Sequence, residues 1–113
     1  MLRKLTEPER RLITTMLADF SGGQAVLGQV SSARVVEMSD GGMGSLKFAR
    51  TDGEERRLGK TVSQAEFLDE DGVTVSVTIN LDEDGRLYEL DVWKVDFSPL
   101  KRWPKTEDIV VKT

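Results

Sequence analysis

Apolar residues recur at helical spacing near the start of the chain and at every second position through most of the rest. Leu12, Ile13, Met16, Leu17 and Phe20 form one stripe, which predicts a helix from about Glu7 to Asp19. Thr6-Glu7-Pro8-Glu9 marks its start. Thr6 as N-cap can bond the Glu9 amide, Glu9 can reach back to Thr6, and Pro8 fits the first turn, where its missing donor costs nothing. Ser21-Gly22-Gly23 ends the helix. Ala25, Val26, Leu27 and Val30 predict a short second helix across Gln24 to Val30, weakened by Gly28.

From Ala33 the period changes to two. Arg34 to Met38 and Ser45 to Arg50 read as strands, the latter with Leu46 and Phe48 on one face and Ser45 and Lys47 on the other. A polar loop opens with Thr51-Asp52-Gly53 and runs through Gly59. Thr61 to Leu68 follows, with Ala65 and Phe67 inward and Gln64 and Glu66 outward. Val73, Val75, Val77, Ile79 and Leu81 alternate strictly with Thr74, Ser76, Thr78 and Asn80. Asp69-Glu70-Asp71-Gly72 and Asp82-Glu83-Asp84-Gly85 read as hairpin turns. Leu87 to Phe97 is the last long strand, with Tyr88, Leu90 and Val92 expected on one face and Glu89 and Asp91 on the other. Ser98-Pro99 breaks it.

Helices come first, then strands joined by short turns, with no βαβ rhythm and no internal repeat. This order predicts an α+β fold, an N-terminal helix and a short second helix packed on a four- to five-stranded antiparallel meander. At 113 residues the chain reads as a single domain. Its helical part spans about 6–31, its sheet about 33–98 and its C-terminal tail 99–113.

Composition narrows the chemistry. There is no His and no Cys, which excludes disulfides, thiolate or imidazole metal sites, Cys nucleophiles and His general bases. The net charge of -4 speaks against a general nucleic-acid binder. No apolar run approaches a membrane span, and no signal-peptide pattern follows Met1-Leu2-Arg3-Lys4-Leu5, so a cytoplasmic location is the expectation. No cofactor and no metal are expected.

Asn80, Asp82, Asp84 and Gly85, with Leu87 and Asp91, fall at calcium-loop spacing. Position 12 is Asp rather than a bidentate Glu, and the flanks are strands, so a hairpin turn is the preferred reading. Asp40-Gly41-Gly42-Met43-Gly44-Ser45 is glycine-rich but lacks the Lys and following helix of a phosphate loop. Glu89 and Asp91 lie on one face, about 6.5–7 Å apart along the strand, and Glu66 can join them if the register allows. Carboxylates so spaced can serve glycoside hydrolysis. They can equally form an acidic recognition surface. Trp93, Val95 and Phe97 continue the same face as an apolar end beside the acidic one, the character of a protein-binding patch.

Asp40 to Phe48, Ala65-Glu66-Phe67 with Asp71 to Val75, and Leu87 to Pro99 resemble a bacterial family of uncharacterised small domains. The opening Arg3 to Thr6 with Glu9-Arg10 extends the likeness. The resemblance implies a stand-alone α+β domain with no assigned activity and no catalytic residues to carry over.

The function expected is a non-enzymatic protein-binding module, with an immunity or antitoxin-like role as one concrete version. Glu66, Glu89, Asp91, Trp93 and Lys94 on the outer sheet face would meet a basic protein partner. Two alternatives stand beside it. One is a small carboxylate-based hydrolase or ligand-binding domain using Tyr88, and the other is a structural homodimer.

Overall fold

In the computed structural model, which describes residues 2–18, 20–49 and 56–112, Thr6 caps helix α1 (Glu7–Leu17). Its hydroxyl accepts from the Glu9 N–H at 3.4 Å, and the Glu9 carboxylate accepts from the Thr6 N–H at 2.9 Å. Leu12, Ile13, Met16 and Leu17 are buried, as their spacing requires. Helix α2 (Gly23–Leu27) is shorter than expected and ends before Gly28. The expected helix end at Asp19, the strand end at Arg50 and the loop opening at Thr51-Asp52-Gly53 lie outside the described residues.

Among the described residues, seven strands form one antiparallel sheet: β1 (Arg3–Lys4), β2 (Arg34–Glu37), β3 (Leu46–Phe48), β4 (Leu58–Leu68), β5 (Thr74–Asp82), β6 (Leu87–Lys94) and β7 (Val110–Lys112). The α+β class holds, but the count exceeds the four to five expected. The two additional strands are the edges. A strand of two or three residues has no alternation to read. Its existence depends on a partner elsewhere, here Val35 and Arg34 for β1 and residues 64–66 of β4 for β7. Arg3 is also tied to Glu9 of α1 by two hydrogen bonds of 2.9 and 2.8 Å, which staples β1 to the helix start.

The order is β1-β2-β3-β6-β5-β4-β7, not a simple meander. Strand β3 pairs with β6, setting Leu46 opposite Leu90. Both side chains are fully buried, so this pairing joins two apolar stripes, and β6 and β5 lie between β3 and β4 in the sheet. The core lies on one face, where α1 and α2 cover Val35, Leu46, Phe48, Ala65, Phe67, Val75, Val77, Ile79, Leu90 and Val92. No helix among the described residues is long and apolar enough to cross a membrane.

Near its start, β4 shifts register against β5 between Leu58 and Lys60. Gly59 occupies the shift, and a Cβ there would lie 2.4 Å from the Asp82 carbonyl oxygen and 2.6 Å from its carbon. Both atoms are backbone and cannot swing away. Gly59→Ala is therefore expected to destabilise the fold by about 1–3 kcal/mol through overpacking. A thermal melt checks this, and an unchanged Tm would show that the two backbones separate freely.

Candidate functional site

Alternation along β6 sends Leu90, Val92 and Lys94 inward and Glu89, Asp91 and Trp93 outward. Register then assembles rows on the outer face. Glu66 faces Ser76, which faces Trp93; Gln64 faces Thr78, which faces Asp91; Thr61 faces Asn80, which faces Glu89. Four of the five expected residues thus share one surface. Lys94 does not. It shares the parity of Leu90 and Val92, its side chain is fully buried, and it lies beneath the turn joining β4 to β5.

The acidic end of the face is a hydrogen-bonded polar network. The Asn80 amide donates to Glu89 at 3.1 Å and accepts from the Thr61 hydroxyl at 2.7 Å. Lys47 lies opposite Glu89 in the β3–β6 register, with its ammonium 5.5 Å from the centre of the Tyr88 ring. The Arg56 guanidinium lies 5.1 Å from the same ring. A register shift between Asn80 and Leu81 puts Leu87, rather than Tyr88, among the buried residues beside Leu90. This corrects the expectation that Tyr88 shares a face with Leu90 and Val92: the shift breaks strict alternation at the start of β6.

The other end is apolar. Trp93, Val95 and Phe97 are exposed, as are Leu68 and Val110 across the sheet. Leu68 pairs with Thr74, whose carbonyl accepts from the Val95 N–H at 3.1 Å; Val110 pairs with Glu66, in the row of Ser76 and Trp93. Two apolar flanks therefore border a polar centre of Thr74 and Ser76. The expected strand stops at Lys94, and the Phe97 N–H donates to the Lys94 carbonyl in a turn. That turn holds Phe97 at φ 65°, the one non-glycine residue with positive φ among the described residues. Phe97 is 69% exposed, and its ring sits 6.1 Å from that of Trp93, tilted by 51°. Beyond Leu68 a groove of about 530 Å³ runs between β4 and the 3-10 turn Thr106–Asp108, with Glu66, Glu107 and Asp108 around Leu68 and Val110.

The acidic turns have internal work. The Lys94 ammonium bonds Asp69 at 2.8 Å, Asp71 at 2.7 Å and the Pro99 carbonyl at 3.2 Å. Asp69 also accepts from the N–H groups of Glu70, Lys101 and Arg102. Burial alone would raise the Asp69 carboxyl, but Lys94 and these amides hold it below its ordinary value. Burial would likewise lower the Lys94 ammonium, and the two aspartates raise it instead.

The calcium-spaced residues are drawn to separate partners. Asp82 accepts from Asp84 and Arg86 amides and from the Arg56 guanidinium, Asn80 bonds Glu89, and Asp91 lies near Ser45. The glycine-rich loop is closed by Asp40, which accepts from the amides of Met43 and Ser45. Leu68 and Val110 were missed as surface residues. Parity from Glu66 signals Leu68, while Val110 depends on the unforeseen β7.

The model of a family described as Domain of unknown function (DUF6984) matches residues 2–104. No curated protein and no solved structure matches the chain.

Proposed function

The chain belongs to the DUF6984 family, and we propose that it is a non-enzymatic binding module whose helix-free sheet face docks a basic protein partner with apolar side chains. The observation that carries this reading is the exposed strip of Trp93, Val95 and Phe97, with Leu68 and Val110 across the sheet. Monomeric proteins seldom leave such groups together without a use. Phe97 strengthens the point, because an exposed aromatic held at positive φ costs backbone energy with no core contact to offset it.

Charge defines the partner. Glu66, Asp96, Glu107 and Asp108 border the strip, Glu66 in an ion pair with Lys112, and Asp91 and Glu89 continue the face beyond it. Lysines or arginines at the rim would be steered by this field, while apolar side chains fill the two flanks. Neutralising a basic toxin is one form such a role takes. The hydrolase alternative would place Glu89, Asp91 or Tyr88 in a pocket. The groove beyond Leu68 is lined by Glu66 and by none of these three.

The test is affinity capture followed by identification of the captured protein, comparing the native chain with a Glu89→Lys/Asp91→Lys double variant. The expected result is a basic partner that the variant loses while it still unfolds in a cooperative melt. Capture of the same partner at equal strength by the variant would refute the reading. Light scattering of the purified chain at several concentrations shows whether a second copy occupies the face instead.

A further inference from the structure

A second site lies at the other end of the sheet, away from the outer-face strip. The link between α2 and β2, the end of β3 and the start of β6 enclose a cavity of about 320 Å³. Arg34, Arg56 and Arg86 all line it, and no Asp or Glu is among the described residues that line it. We propose that this cavity binds a small molecule through an oxyanion group, a phosphate or a carboxylate.

The three arginines differ in a way that suits a ligand site. Arg56 is locked in place. It bonds Asp82 through Nε and Nη2, and it donates to the Phe48 and Leu87 carbonyls. Asp82 therefore offsets the charge of Arg56. Arg34 has no such counter-ion among the described residues: its donors reach only the Ser32 and Ala33 carbonyls, each at 3.3 Å. Those two bonds hold the guanidinium at the rim and leave most of its five N–H groups without a partner among the described residues. Arg86 stands exposed across the cavity.

Arg34, with no counter-ion among the described residues, draws an anion toward the cavity. The planar guanidinium fork matches phosphate and carboxylate oxygens in paired hydrogen bonds. The cavity volume falls at the small end of ligand pockets. Its walls are also firm. Gln29 fixes the α2 side to the β6 side, its amide donating to the Gly85 carbonyl at 3.3 Å and its carbonyl accepting from the Leu87 N–H at 2.8 Å. Ala33, Phe48 and Leu87 add apolar surface for the body of the ligand.

The experiment is an NMR titration of the labelled chain with sodium phosphate and, separately, sodium acetate, each against sodium chloride at matched ionic strength. Saturable shifts at the amides of Gly28, Ser32, Ala33 and Ala49 are expected, with a Kd of about 1 mM or tighter for at least one anion. The anion that saturates names the group recognised. Arg34→Ala and Arg86→Ala should each weaken it about tenfold or more, in variants whose thermal melts show that the fold is kept. The Glu89→Lys/Asp91→Lys variant should bind the anion as the native chain does, which separates this site from the outer face. Shifts no larger than those with chloride, or undiminished affinity in both arginine variants, would overturn the proposal.

Discussion

Replacing Asp69 with alanine is expected to remove about 3–5 kcal/mol of folding stability, the usual consequence of breaking a buried ion pair from one side. Asp69 and Lys94 side chains are both fully buried and meet at 2.8 Å. Lys94 would keep Asp71 and the Pro99 carbonyl but lose its inner counter-charge. Three backbone donors, on Glu70, Lys101 and Arg102, would lose their acceptor at the same time. The last two anchor the tail where it leaves the sheet, so the damage extends beyond the pair. Asp69→Asn keeps the shape and an acceptor oxygen, and its loss should be smaller. Urea denaturation measures both.

Acid gives the same carboxylate a second check. The folded-state carboxyl of Asp69 lies below its ordinary value near 3.8. Its contribution is therefore fully present above about pH 4, the unfolded value, and is lost as pH falls through the folded one. The stability gap between native chain and Asp69→Ala should be flat from neutrality to about pH 5, since the chain has no His. It should narrow in stronger acid. A gap that is small at neutral pH, or that widens on acidification, would show that Lys94 does not depend on Asp69.

These turns also show which parts of the fold were legible. Strict alternation from Val73 to Leu81 identified β5, and Thr6 with Glu9 identified the start of α1, because each signal is local. The edge strands and the β3–β6 pairing were hidden, since both depend on which surfaces meet after collapse. The outer face was legible in part for the same reason. Parity placed Glu89, Asp91 and Trp93 correctly, and the same parity applied to Lys94 would have turned it inward with Leu90 and Val92. A charged residue two positions beyond a buried Val invites the opposite choice. Only the acids at positions 69 and 71, brought in by the preceding turn, make a buried Lys tolerable there. The arginine-lined cavity was not legible at all, because Arg34, Arg56 and Arg86 lie far apart in sequence and come together only through the strand order.

Phe97→Gly should separate binding from stability by moving them in opposite directions. Phe97 is held at φ 65°, where an L side chain costs about 1–2 kcal/mol and glycine does not. Glycine gives back roughly 0.5–1 kcal/mol in unfolded-state entropy. The exposed ring has one ring neighbour, Trp93, so little packing is lost with it. The net expectation is a variant at least as stable as the native chain, by up to about 1 kcal/mol. On the binding side, an exposed aromatic at the centre of an interface commonly accounts for 2 kcal/mol or more, about a thirtyfold change in Kd. Titration calorimetry with the partner identified by capture should show at least that loss, while the thermal melt shows none. A melt that falls by several degrees would mean that Phe97 supports the fold and that its backbone strain is offset by packing. Undiminished affinity in a variant that melts normally would remove Phe97 from the interface, and with it the strongest reason for placing a partner on this face.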